Sequence, residues 1–289
     1  MERIVLPMKV HAVKLEYRRL ILDKMIHGYF CVRRGKKTVV ITHDPENQQI
    51  TSRHQRFLIV SSKLGKMYSE KITSYLRIKT EYDSLLNSWN ATYSFAPPKV
   101  IFPIKQYYDP HLMNNEYFNN QKANLGHYVS DNPTFSEDGE LKSKNELFAA
   151  ELLHQMGIPI KYETEIYIEE TDEKINPDYL ISFYEIDRCA YLEVLGMNDK
   201  GDYSVRTSSK INSYSKAHYR PGREVIYIHM YDKHNFDSVY FVEQVLSAFD
   251  SLIPDSALEW NSGLRTVQVF PAEESGDTPP VNDQTAPAC

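Results

Sequence analysis

The sequence predicts a mixed α/β fold: a mixed sheet core flanked by helices, preceded by a β-hairpin and a long helix. Three observations predict it. Tyr179–Phe183 and Ala190–Leu195 are β-branched and aromatic runs joined by the polar Glu185-Ile186-Asp187-Arg188, which reads as a hairpin. Residues 141–252 interleave such runs with segments whose apolar residues recur every three or four positions. Glu224–Met230, after a helix-length segment, is a nearly continuous apolar run suited to a buried strand reached by a helical crossover.

Taken in order, residues 1–24 read as a helix that stops near Gly28. Tyr29–Val32 and Thr38–Thr42 flank Arg33-Arg34-Gly35-Lys36-Lys37, a hairpin with a basic tip. His43–Gln49 is a loop. From Ser52 to Trp89 the spacing of Leu64, Met67, Tyr68, Ile72, Tyr75 and Leu76 predicts a helix. Residues 97–140, rich in Pro, Asn and Tyr, read as an irregular connector with one short helix near His111–Asn119. Ser143 opens a helix that Gly157 and Pro159 close. Strand Ile160–Ile168 and the central hairpin follow. A loop to Tyr203, a helix over Ser204–His218, the strand Glu224–Met230 and a helix over Phe236–Leu252 complete the core. Four segments result: a basic region 1–96, a connector 97–140, a core 141–252, and an acidic, Pro-rich tail 253–289 whose residues 262–289 are expected to be mostly disordered.

Composition narrows the function. No apolar run reaches the roughly 20 residues of a membrane span, and the N-terminal apolar run is too short for a secretory signal. Cys31, Cys189 and Cys289 are too far apart for a disulfide framework or a zinc site. A cytoplasmic protein is expected. The net charge of −6 hides an asymmetry: residues 1–100 carry +10 and residues 101–289 carry −16. Such a division suits a protein that grips phosphates with one part and gathers cations with another; ordinary scatter of charge accounts for it equally well.

Glu193 is the residue hardest to explain structurally. A carboxylate inside so apolar a strand costs free energy unless it is paired or holds a metal. Asp178, at the mouth of the preceding strand, can converge with it on a hard cation, with the Val194 carbonyl as a third oxygen. Glu146, in the first turn of its helix, is the added ligand if a second ion binds. Lys210 on the following helix can orient or deprotonate a water. Each has a plainer reading. Ser143-x-x-Glu146 is also a capping box, Pro177-Asp178 a common turn start, and Lys210 a surface lysine. Tyr214 supports Lys210 or simply packs. Lys142 and Lys144 beside a helix N-terminus can hold a phosphate, or are exposed charges.

Ser143-Lys144-Asn145-Glu146, then Pro177-Asp178 fifteen residues before Glu193, then Glu193-Val194-Leu195-Gly196-Met197 and Lys210 carry a resemblance. Residues 141–250 resemble the PD-(D/E)xK, restriction-endonuclease-like nuclease superfamily. Within it they are similar to a bacterial and phage group with a Ser-Lys-Ser-Glu helix start, a Trp-Glu-His-Phe-Gly-Met motif and a lysine that has moved to a helix. The resemblance implies Mg²⁺-dependent (or Mn²⁺-dependent) cleavage of phosphodiesters in DNA, sometimes RNA, in phage defence or on mobile DNA, with Glu146, Asp178, Glu193 and Lys210 as catalytic set. Leu195 stands where the superfamily's lysine is expected, so the role passes to Lys210 ahead of Lys200 or Lys216. Val194 stands where the narrower group has His. Both departures also fit a catalytically inactive relative that binds nucleic acid or a protein partner. Arg33, Arg34, Lys36 and Lys37 are the expected nucleic-acid contacts beyond the core, and a homodimer is compatible with everything read so far.

Overall fold

The structure, a computed structural model, describes residues 5–47, 49–50, 53–105, 111–123, 134–136, 139–170, 172–196, 201–230 and 236–260. Helix α1 (Met8–Lys24) leads into a hairpin of β1 (His27–Arg33) and β2 (Lys36–His43). Its turn is Arg34-Gly35, both left-handed at φ 52° and 71°, a geometry that follows the twist of the flanking strands. β3 (Arg56–Ile59) pairs with the other edge of β2. The helix expected from Ser52 therefore begins later. It is α2 (Lys63–Thr92), capped by Ser62, whose hydroxyl accepts from the Gly65 N–H at 3.0 Å. Phe57-Leu58-Ile59 finds a strand partner across β2, and that pairing overrides the local helical period.

Through the expected connector run β4 (Lys99–Val100), α3 (Asn115–Asn120), β5 (Thr134–Ser136) and β6 (Gly139–Leu141). α3 is the short helix foreseen there; the strands, two or three residues each, are too short for a periodic pattern. α4 (Lys144–Gln155) starts at Ser143 and closes at Gly157, φ 66°. The strand expected over Ile160–Ile168 is broken at Glu163, which is left-handed at φ 44°. β7 (Ile160–Tyr162) joins the main sheet, while β8 (Ile166–Ile168) pairs with β9 (Glu173–Ile175). Then come β10 (Tyr179–Phe183), a 3-10 turn ending at left-handed Asp187, and β11 (Arg188–Leu195). α5 (Gly201–Lys216), β12 (Val225–His229), α6 (Ser238–Ser251) and β13 (Leu258–Glu259), which pairs with β4, follow. α5 starts three residues before the expected Ser204. Residues 197–200 of the foreseen loop and the tail 261–289 lie outside the described residues. No helix among those described is long and apolar enough to cross a membrane.

The main sheet has the order β12-β11-β10-β7, with β11 and β12 parallel and the other pairs antiparallel. Helices cover both faces. Val10 of α1, Leu153 of α4 and Phe249 of α6 pack with Ile181, Leu192 and Ile228 on one side. Phe118 of α3 and Tyr214 of α5 pack with Leu180, Tyr191 and Val225 on the other. β1–β3 have a separate apolar cluster, in which Val39 and Ile41 meet Ile72 of α2. Residues 1–259 form one compact unit. The basic first segment thus divides: α1 and Trp89 of α2 belong to the main core, and β1–β3 form their own layer against α2.

Buried charge fixes α1 to the hairpin turn. Glu185 Oε1 accepts from Lys14 Nζ at 3.0 Å and from Arg18 Nη1 at 2.6 Å, with all three side chains nearly inaccessible. Burial alone would raise the Glu185 pKa; the Lys14 and Arg18 charges outweigh it and hold it below its ordinary 4.5. The triad's contribution is therefore present above that value and lost as pH falls through the depressed one. Glu185→Ala should cost about 3–5 kcal/mol, because it leaves the Lys14 ammonium buried without its partner and the Arg18 guanidinium with Glu81 alone. Urea denaturation at neutral pH measures it, and the gap to wild type should narrow in acid.

Candidate active site

β11 is buried along its whole length, so its alternation sorts side chains between the two helical layers. Leu192 and Val194 face α1, α4 and α6; Tyr191 faces α3 and α5, and Glu193 shares the parity of Tyr191. Tyr179 pairs with Leu192. One further step of that register sets Asp178 opposite Glu193, on the same face. The two carboxylates expected to converge therefore leave adjacent strands side by side.

The backbone completes the arrangement. The Tyr191 N–H donates to the Glu224 carbonyl at 2.8 Å, and the Leu195 carbonyl accepts from the Met230 N–H at 2.7 Å. Odd residues of β11 thus turn their peptide groups to β12, and even ones to β10. The Val194 N–H, past the first residue of β10, donates instead to Asp178 Oδ2 at 2.7 Å. The Val194 carbonyl lies toward that same edge.

Glu193 is only 2% exposed, and both its oxygens are engaged. Lys210 Nζ donates to Oε2 at 2.7 Å and the Tyr214 hydroxyl to Oε1 at 2.6 Å. Lys210 and Tyr214 are four apart on α5, which puts them on one helix face. Tyr214 thus supports Glu193 rather than Lys210. Burial and the neighbouring Asp178 push the Glu193 pKa up to about 7, although Lys210 and Tyr214 pull it down. Burial would lower the Lys210 pKa, but Glu193 and Asp178 outweigh it and raise it. The ammonium keeps its proton.

Glu146 forms one half of the capping box, with its carboxylate reaching the Lys142 N–H rather than that of the Ser143 cap. Its N–H donates to Ser143 Oγ at 3.2 Å, while its carboxylate accepts from Ser143 Oγ at 3.1 Å, the Lys142 N–H at 2.9 Å and the Tyr162 hydroxyl at 2.7 Å. It also lies within electrostatic reach of the site. Burial raises its pKa first, and the Asp178 charge adds to that. The cap and the site share one residue. Lys142 is not a free phosphate ligand, since its ammonium is ion-paired with Glu163. Lys144 is exposed. Arg33, Arg34, Lys36 and Lys37 are exposed at the hairpin tip, in the β1–β3 layer.

Glu163 is a residue that sequence reasoning missed. It is 5% exposed, its N–H donates to the Asp178 carbonyl at 3.1 Å, and its charge helps raise the Lys210 pKa. The only trace in the sequence is the polar Lys161-Tyr162-Glu163-Thr164-Glu165 stretch interrupting a strand pattern.

Four carboxylates (Glu146, Glu163, Asp178, Glu193) thus face two ammonium groups (Lys142, Lys210). Fully ionised, the cluster carries two excess negative charges, a balance suited to a divalent cation. Among the described residues, no three His, Cys, Asp or Glu side chains form a group that could hold a metal ion. Asp178, Glu193 and the Val194 carbonyl make a smaller set. It fits Mg²⁺, which keeps several waters and is usually bound through one or two carboxylates.

Because the fold holds the Glu193 proton to about pH 7 while an unfolded carboxyl loses it near its ordinary 4.5, folding takes up a proton across that window. Stability should fall as pH climbs from the lower value to the higher and level off above it. The loss attributable to Glu193 is about 3 kcal/mol for a shift of this size. Urea midpoints across the window should show the decline in wild type, and Glu193→Gln should flatten it.

No family model, curated protein or solved structure matches this chain.

Proposed function

We propose that this chain is a cytoplasmic, metal-dependent nuclease of the PD-(D/E)xK type that hydrolyses phosphodiester bonds in DNA rather than RNA, in phage defence or on mobile DNA. The observation that carries the reading is Lys210 Nζ at 2.7 Å from the Glu193 carboxylate, beside Asp178. Its amine arrives from a helix, as the resemblance implies for a lysine that has left its strand. Mg²⁺, or Mn²⁺, held by Asp178, Glu193 and the Val194 carbonyl would supply Lewis acidity toward a phosphate oxygen and a lowered water pKa.

The chain's own residues divide the remaining work. Lys210, which holds its proton, donates to a phosphate oxygen and offsets charge developing there; it is not the base. Glu193, held by Lys210 and Tyr214, would serve the ion as an ionised ligand, its proton given up when the cation binds. Tyr214 fixes the carboxylate's orientation through its 2.6 Å hydrogen bond. Asp178 is oriented by the Val194 N–H, and Glu146 holds the start of α4 against Tyr162.

A second reading has one observation in its favour. Both Glu193 oxygens are already bonded within the protein, as in a site that keeps its scaffold and has lost its chemistry. Plasmid incubated with Mg²⁺ or Mn²⁺ separates the two. Cleavage should occur and should vanish with EDTA, with Glu193→Gln and with Asp178→Asn. Lys210→Met should lower the rate by about 10²–10³-fold. Because Glu193 must lose its proton to bind the cation, the rate at limiting Mg²⁺ should rise with pH toward neutrality, and Tyr214→Phe, which removes a bond to the ionised carboxylate, should move that rise to higher pH. Nucleic-acid binding without cleavage in either metal rejects the enzyme.

A further inference from the structure

The outer face of the β1–β3 sheet has no part in the chemistry above, yet its composition is unusual. The register places Tyr29, Val40 and Phe57 in one row across the three strands, and Cys31, Thr38 and Ile59 in the next. Arg33 and Lys36 close the face at the hairpin end. Val40 and Thr38 of the middle strand are buried, whereas Tyr29 and Phe57 on the flanking strands stand 43% and 44% exposed. The Arg33 guanidinium lies over the Phe57 ring, 4.2 Å from its centroid. Of the strand cations, Arg33 and Lys36 stand on this face while Lys37 and Arg56 belong to the other, and the three strands hold no Asp or Glu. The other face of the sheet is covered by α2.

We propose that this face is a stacking platform for single-stranded nucleic acid, with bases on Tyr29 and on the Arg33 guanidinium that Phe57 supports, and phosphates on Lys36 and the edge of Arg33. The proposal deepens the nuclease reading and rests on its claim that the chain binds nucleic acid. An exposed ring on an open sheet offers a π-face to any unstacked base, and a guanidinium beside it adds both charge and a stacking plane. Strands about 4.8 Å apart set the two outer rings about 10 Å from each other across the sheet, so Tyr29 and the Arg33–Phe57 stack receive separate bases. A duplex hides its base faces in its own stack and meets these rings only with its edge. A cationic face without a single carboxylate complements a polyanion, and it repels a second copy of itself.

Anisotropy of a fluorescent thymidine oligonucleotide, titrated with the full chain in EDTA, tests the platform without any cleavage. Tyr29→Ala and Phe57→Ala should each weaken binding by about tenfold or more, and Tyr29→Phe should restore it. Arg33→Ala with Lys36→Ala should reduce the salt dependence by one to two phosphate contacts, about 0.7–1.4 in the log–log slope for a single strand. A duplex of the same length should bind more weakly and be indifferent to the two ring substitutions. Circular dichroism confirms that the variants fold. Oligonucleotide affinity unchanged by both alanine variants overturns the platform, as does a wild-type dimer that those variants disperse in sedimentation. Binding that needs the rings in a chain that never cleaves keeps the platform and removes the nuclease; cleavage with ring-independent binding does the reverse.

Discussion

A carboxylate in the middle of a fully buried strand is the constraint around which the rest is arranged. Glu193 cannot stay ionised there without partners, and the partners come from another element, one turn apart on α5. The helix must therefore lie along the sheet in a fixed rotation, with Lys210 and Tyr214 inward. The same requirement positions β12, since α5 is the crossover that makes β11 and β12 parallel. Replacing the Glu193–Lys210 pair by apolar residues of similar volume would often leave a fold no weaker. Stability alone therefore does not account for this pair beside Asp178.

The opposite layer is fixed by a different buried charge. Glu185, in the turn between the two strands that carry Asp178 and Glu193, holds α1 through Lys14 and Arg18. The N-terminal helix is thus locked to the far end of the same hairpin whose near end carries the site. Removing α1 would leave Glu185 buried and unpaired, and would uncover the Phe183 and Phe249 side of the core. The sheet carrying the aromatic face needs no such lock, because Val39 and Ile41 close on Ile72 as a cluster of their own.

The parts of this architecture that were legible in the sequence are those with a period. The central hairpin, α4 with its Ser143 cap and Gly157 stop, α6 and β12 all follow from apolar spacing and terminal residues. The turn between the two strands was read one residue too long, since Arg188 already pairs with Phe183. What escaped depended on distant partners. Arg56–Ile59 is a strand only because β2 offers an edge. Glu163 is left-handed, and the chain turns from the main sheet into β8 there; no local residue announces it. The partner of Lys142 escaped for the same reason, because Glu163 is twenty-one positions away and turns inward only after the strand breaks.

Glu146 shows why the plain and the functional readings of one residue need not compete. A capping carboxylate must reach back to backbone N–H groups at the start of its helix, and here it meets the Lys142 N–H and the Tyr162 hydroxyl. The hydroxyl belongs to β7, whose register with β10 pairs Tyr162 with Tyr179, and Tyr179 in turn donates to the Glu146 carbonyl at 2.7 Å. The start of α4 is therefore clamped to β10, the strand that Asp178 immediately precedes. A helix fixed at this end brings its cap carboxylate within electrostatic reach of Asp178, which raises the pKa of Glu146 further than burial alone. The cap supplies the geometry, and the geometry makes the cap part of the charged cluster. Substituting Glu146 would disturb both at once, which is why Asp178 and Glu193, without capping duties, are the cleaner probes of the chemistry.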